Sequence, residues 1–149
     1  IRVIEFNARF GDPETQVVLR RLTSSLSGLL YKAATGQLNG ATAPDFTKDV
    51  AITVVLASEG YPDTSAPNRP ISGLAEAEET GIEICHAATA AGTDDTGEEV
   101  LIATGGRVLS VVATGTDFAS ARKQAYAGIE KIQLEGSHYR KDIAAKVAN

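Results

Sequence analysis

The sequence predicts an α+β fold, and three features of its patterning carry that reading. A short apolar lead-in runs into an amphipathic helix. Several β-branched apolar runs follow between Val50 and Thr114, and a second amphipathic helix lies beyond them. Helices repeat their apolar positions every three to four residues, whereas buried strands read as short apolar runs. The order strand, helix, several strands, helix, with no internal repeat, is that of an α+β chain.

The elements follow in order. Ile1 to Ile4 open a strand that covers Arg2 to Asn7, with Ile4 and Phe6 directed into a core. The turn Phe10-Gly11-Asp12-Pro13 comes next, where Asp12 suits a helix N-cap and Pro13 a first helical position. Glu14 falls in the first turn, where the helix dipole favours negative charge. Val18, Leu19, Leu22, Leu26, Leu29 and Leu30 recur at helical spacing, so one helix is expected from Pro13 to about Ala34, stopped by Gly36. Thr23-Ser24-Ser25, Ser27 and Gly28 interrupt its middle. Gln37 to Lys48 is polar and irregular, a junction between subdomains. Val50 to Ala57 reads as a buried strand. Ser58 to Pro70, rich in Gly, Pro, Asp, Asn and Ser, reads as a long loop. Ile82 to Ala87 is a short strand and Ala90 to Glu98 a polar turn. Glu99–Thr104 and Arg107–Thr114 flank Gly105-Gly106, which predicts a two-residue hairpin turn with positive φ. Asp117 caps a helix from Phe118 to about Ile132, with Ala121, Ala125, Ile129 and Ile132 on one face. The tail from His138 is charged, with a further helix left open.

Bulk properties narrow the function. The chain's 149 residues suffice for one sizeable domain, or a small one with an appendage. A hydrophobic content of 43% and a mean hydropathy of −0.05 fit a soluble globular protein. The net charge of −5 argues against a nucleic-acid partner. No apolar stretch nears the roughly 18 residues of a membrane span, and no N-terminal signal pattern is present. Cys85 is the sole cysteine, so an intrachain disulfide is excluded and a reducing compartment fits. Met is absent and residue 1 falls inside an expected core strand, so a fragment or a processed product is expected.

Chemistry concentrates in Glu5-Phe6-Asn7-Ala8-Arg9-Phe10-Gly11-Asp12-Pro13-Glu14. On an extended segment, alternate side chains share a face, so Glu5, Asn7 and Arg9 point one way. A carboxylate beside an amide oxygen gives two hard oxygen donors, which suit Mg²⁺. An arginine beside them can clamp a phosphate or carboxylate. Metal, anion clamp and a turn into a helix together suggest phosphate chemistry. The plainer readings are a strand with a solvated polar face, an ion pair of Arg9 with Asp12 or Glu14, and a simple helix cap at Asp12.

That run, extended through Thr15 and Gln16, resembles the signature of the glycinamide ribonucleotide synthetase family, the phosphoribosylamine–glycine ligases of the ATP-grasp superfamily. Gly60-Tyr61-Pro62, Gly105-Gly106-Arg107-Val108-Leu109 and Tyr139-Arg140-Lys141-Asp142-Ile143 are similar to later landmarks of the family, in its order. The resemblance covers nearly the whole chain, but only the C-terminal part of the family's enzyme. It implies that residues 1–36 end an ATP-grasp domain. Residues 37–149 would then form a small β-rich, barrel-like (barrel-sandwich hybrid) domain. It implies that Glu5 and Asn7 ligate Mg²⁺ or Mn²⁺ bridging ATP phosphates. Arg9 would be catalytic and substrate-binding, neutralising the γ-phosphoryl or an acyl phosphate, and Asp12 would hold a substrate amine. The implied reaction joins glycine to 5-phosphoribosylamine through glycyl phosphate, in purine biosynthesis in the cytoplasm, with ATP consumed. The implied partners are ATP, glycine, 5-phosphoribosylamine and the enzyme's N-terminal half, which carries most of the nucleotide pocket; the isolated chain is expected to be inactive.

Some residues depart from the family pattern. Arg20 stands where the family often has Pro, and Cys85-His86-Ala87-Ala88-Thr89 where it often has Phe-His-Ala-Gly-Thr. The loop after Pro62 also lacks the usual Gly- and Lys-containing form. His86 reads as a packed core histidine, and His138 with Tyr139, Arg140 and Lys141 as a solvated tail. Arg107, after a glycine turn, reads as a landmark able to reach toward the cleft, its role not fixed by the resemblance. A rival reading is another ATP-grasp enzyme, such as a biotin-dependent carboxylase. The Gly11–Glu14 loop and the absence of a biotinyl-lysine pattern argue against it. A non-catalytic packing module is the other rival.

Overall fold

A computed structural model describes residues 1–148. The β-branched run forms strand β1, Val50–Ala57, with Ile52, Val54 and Leu56 buried at alternate positions. Strand β6, Arg107–Gly115, pairs with it antiparallel, Val54 opposite Val111 and Ile52 opposite Ala113. Its other edge takes strand β3, Glu83–His86, again antiparallel. The sheet order is β1-β6-β3, so β6 is central, and its residues from Val108 to Ala113 are all buried. A strand covered on both faces reads as a continuous apolar run rather than an alternating one. That describes Val108, Leu109, Val111, Val112 and Ala113. The second sheet is also antiparallel. It sets β2 (Arg69–Ile71) and β4 (Thr89–Thr93) on either side of β5 (Glu99–Ala103). The expected α+β class is therefore found, with two three-stranded antiparallel sheets.

Helix α4, Phe118–Ile129, lies on β1 and β6 and buries Ala121, Ala125, Gly128 and Ile129. Small residues let it sit close: a Cβ at Gly128 would come within 2.7 Å of Ile82. The Asp117 cap is present as a full capping box. Its carboxylate accepts from the Ser120 amide at 2.7 Å, and Ser120 Oγ accepts from the Asp117 amide at 3.3 Å.

Several expectations are corrected. Residues Arg2–Asn7 form no sheet strand. Ile4 and Phe6 are 98% and 86% exposed instead of entering a core. An extended segment becomes a strand only when a neighbour accepts its backbone hydrogen bonds, and none does so among the described residues. The single long helix is two, α1 (Glu14–Arg21) and α2 (Leu26–Ala34). Leu22 turns extended opposite Phe46, the Thr23 amide donates to Asp45 O at 2.9 Å, and Ser25 caps α2 through the Gly28 amide. Hydroxyl side chains compete for backbone groups and favour caps over helix interiors, which explains the break. The α1 N-cap is Pro13 rather than Asp12, whose carboxylate is engaged elsewhere.

The Gly105-Gly106 hairpin is absent, because β5 and β6 belong to different sheets. Neither glycine has positive φ. They are needed for space: a Cβ at Gly105 would lie 3.0 Å from Ala88 Cβ, and one at Gly106 2.4 Å from the Tyr61 ring. The chain changes sheets here, and also between β3 and β4. Ala88 joins the two crossings, its amide donating to Arg107 O and its carbonyl accepting from Thr104 N. Residues 90–98 hold most of β4 before the Asp94 turn, and the expected loop ends in β2. Helix α3, Leu74–Glu78, falls in a stretch without an expected element. Among the described residues the tail forms no helix, and His138 exchanges two backbone bonds with Ala57 at the end of β1. His86 is exposed, not packed in the core, with Nδ1 3.0 Å from Thr89 Oγ1. Among the described residues no helix is long and apolar enough to cross a membrane.

The capping bonds hold the Asp117 carboxyl below its ordinary range. A group whose pKa is lower in the folded state adds stability above its unfolded value, and that stability is lost as pH falls through the folded value. Thermal unfolding between pH 5 and about pH 3 should therefore cost the native sequence more than Asp117→Asn, which keeps a capping oxygen but does not titrate. Parallel melting curves for the two proteins over that range would exclude this role.

Candidate functional site

The turn before α1 gathers partners from two elements, α1 and β6. Within the turn, Gly11 O accepts from both the amide and the hydroxyl of Thr15, at 3.0 and 2.5 Å, which starts the helix. From α1, Gln16 Nε2 donates to Asp12 Oδ1 at 2.8 Å. From β6, Arg107 reaches back across 95 residues. Its Nη1 donates to the Asp12 main-chain oxygen at 3.2 Å, and its Nη2 lies 3.2 Å from Asp12 Oδ2. The structure thus gives the Arg107 landmark a partner, and gives Asp12 a charge partner other than Arg9.

Arg9 Nη1 donates to Asn7 Oδ1 at 2.7 Å, so these two residues do share a side of the segment. Arg9 forms no ion pair with Asp12 or Glu14 among the described residues. Glu5, Asn7, Arg9 and Asp12 are all exposed and open to a ligand. Of these four, Asp12 borders a groove of about 630 Å³, lined also by Phe10, Gln16, Leu19, Arg20 and Cys85. An Arg20–Glu83 ion pair at 2.8 Å links α1 to β3 along this groove. Gln16 Oε1 is buried there without a hydrogen-bond partner.

Chemically, the run offers an oriented carboxylate at Asp12, a guanidinium at Arg9 free of carboxylates among the described residues, and exposed hard oxygens at Glu5 and Asn7. A carboxylate with partners on both oxygens retains lone pairs for an ammonium. A guanidinium suits a phosphate or carboxylate. Among the described residues, no three of the His, Cys, Asp and Glu side chains cluster as a metal site by themselves.

Sequence reasoning missed Gln16 and the Arg20–Glu83 link. Helical spacing does place Gln16 one turn after Asp12, a usable signal. A second polar cluster lies elsewhere: Arg69 pairs with Glu59 and donates to Glu135 O at 2.5 Å, tying the loop after β1 to the tail. Arg140 pairs with Asp142 at 2.7 Å and is exposed, but the tail is docked rather than solvated: Tyr126 Oη donates to Arg140 O, and Tyr139 and Ile143 pack against the core.

Comparison with known proteins adds to this geometry. The family described as phosphoribosylglycinamide synthetase, C domain, matches residues 51–146. A phosphoribosylamine–glycine ligase of Leifsonia xyli is 58% identical over 147 residues, covering 98% of this chain and 34% of that protein. One from Streptomyces coelicolor is 49% identical, covering 99% of this chain and 35% of that protein. The crystal structure of a phosphoribosylamine–glycine ligase from Thermotoga maritima superimposes with a TM-score of 0.72 at 34% identity, over 94% of this chain and 32% of that one. The chain spans about a third of the length of the relatives it matches.

Cys85, on the groove wall, has its thiol pushed up by burial and by the Glu83 carboxylate. A raised pKa means less thiolate at a given pH, and thiolate is the reactive form. Alkylation by iodoacetamide at pH 8 should be slower in the native chain than in urea, and Glu83→Gln should speed it. A native rate equal to the unfolded rate, read by mass spectrometry, would contradict this.

Proposed function

The chain belongs to the phosphoribosylglycinamide synthetase C-domain family, and from that premise we propose that it is the C-terminal portion of a ligase joining glycine to 5-phosphoribosylamine. The proposed reaction gives glycinamide ribonucleotide, ADP and phosphate in purine biosynthesis, in the cytoplasm. Residues 1–36 would complete an ATP-grasp domain, and residues 37–149 would be the ligase's barrel-like domain. The observation that carries the reading is the run from Glu5 to Glu14, with Glu5, Asn7 and Arg9 exposed, Phe10 and Asp12 on a groove, and the Asp12 carboxylate held from two sides.

Each residue has a part in this reading. Arg9 binds the γ-phosphoryl of ATP and then the acyl phosphate. Guanidinium charge is worth most where negative charge is transferred. Asp12 accepts hydrogen bonds from the amino group of glycine and so orients its carboxylate for attack on ATP. The amine of phosphoribosylamine then attacks glycyl phosphate, and inorganic phosphate leaves. Holding these reactants in line supplies much of the acceleration.

The donor set fits Mg²⁺ or Mn²⁺. Glu5 and Asn7 are exposed hard oxygens, and the Asn7 oxygen has a lone pair left beyond the one Arg9 uses. Two protein oxygens completed by water and nucleotide phosphates is the usual manner of Mg²⁺ binding. Such an ion offsets charge on the phosphate oxygens.

Two tests follow. Purified residues 1–149 should form no glycinamide ribonucleotide, and product formation by them would overturn the assignment of a partial site. In a full-length ligase carrying this region, Glu5→Ala should lower kcat/KM by roughly 10²-fold or more, the scale of losing one electrostatic stabiliser. Its stability should change by no more than about 0.5 kcal/mol, as for an exposed side chain. Unaltered turnover at limiting Mg²⁺ would remove Glu5 from the metal site.

A further inference from the structure

We propose that Arg107 is a positioning residue that fixes the Asp12 carboxylate for the ammonium group of the amino-acid substrate. The inference rests on the substrate-binding reading of Asp12 given above, and it deepens that reading.

Three observations carry it. First, Arg107 holds Asp12 by two kinds of atom, the main-chain oxygen and the carboxylate. One contact sets where the loop lies and the other sets how the side chain turns. Gln16 holds the remaining oxygen, so Asp12 is oriented from β6 and α1 together. Second, the strand is shaped to deliver this side chain. Leu56 pairs with Leu109 but Ala57 pairs with Arg107, so the register shifts and Val108 is the extra residue on β6. An extra residue bends a strand and re-aims its side chains. Gly106 just before it allows the Tyr61 ring to approach, which a Cβ would block. Third, the pair is not suited to holding the fold together. The side chains are 43% and 40% exposed, and ion pairs this open add little stability. Orientation of a ligand-binding group is the effect that such a pair can still deliver.

The test uses a full-length ligase carrying this region. Arg107→Ala should raise the KM for glycine roughly 10- to 100-fold, the range for losing hydrogen bonds to a charged group. The KM for ATP and the thermal midpoint should change little. Arg107→Lys keeps the charge without the fork and should recover part of the loss. The decisive measurement is a double-mutant cycle with Asp12→Asn, since residues acting through one another are not additive. If Arg107 works through Asp12, the double variant binds glycine no worse than Asp12→Asn alone. Additive losses would overturn the positioning role, and so would an unchanged glycine KM in Arg107→Ala when Asp12→Asn raises it. An unchanged glycine KM in Asp12→Asn would instead overturn the substrate-binding reading of Asp12. A loss of thermal stability in Arg107→Ala that Arg107→Lys restores without restoring glycine binding would leave the charge as a structural feature and overturn the inference.

Discussion

The pairing of β6 on both edges is the constraint on which the rest of the molecule depends. Its backbone bonds to β1 and β3, and its side chains from Val108 to Ala113 are covered on both faces. Sliding such a strand by one residue would reverse every side chain, so its register is held firmly. Both of its ends then have set tasks. At its start, Arg107 meets Asp12. At its end, Gly115 leaves room for α4, since a Cβ there would lie 2.7 Å from the Ala121 amide. Core and candidate site are thus placed by one strand.

The two sheets are joined by hydrogen bonds as well as by packing. Ala88 bonds to Arg107 of β6 and to Thr104, the residue just past β5, while Ser58, just past β1, donates its amide to Gly106 O at 2.8 Å. Chains that switch sheets at a corner need a bend or a bulge there, and this corner has glycines and the register shift beside it. Movement of the corner would therefore reach Arg107 directly.

Local signals in the sequence translated well. Val50–Ala57 and the Asp117-capped helix are present with nearly the expected bounds, because an apolar run and a cap act through neighbours in the chain. Long-range facts were not legible. Gly105-Gly106 has the composition of a hairpin turn, yet its glycines answer to Ala88 and Tyr61, which lie far off in sequence. The Arg2–Asn7 strand failed for the converse reason, since alternation cannot reveal whether a neighbour is there to pair with. In the site, the run from Glu5 to Glu14 stood out by residue type. Its tie to Arg107 spans 95 residues and leaves no mark in local pattern.

The exposure of the site bears on how it can work. Charges a few ångströms apart attract by only about 1 kcal/mol in water, and several times more where the effective dielectric falls to about 20. Arg107 and Asp12, both roughly two-fifths exposed, lie near the weak limit. Phe10, on the groove, and Ile4 and Phe6, earlier in the same run, are exposed to solvent, and burying such side chains is favourable. A lobe that covered them would also exclude water from the groove. The hold on Asp12 would then tighten and the field of Arg9 would strengthen. On the proposed function, burial of these apolar side chains and strengthening of the charges at Arg9 and Asp12 would be one event.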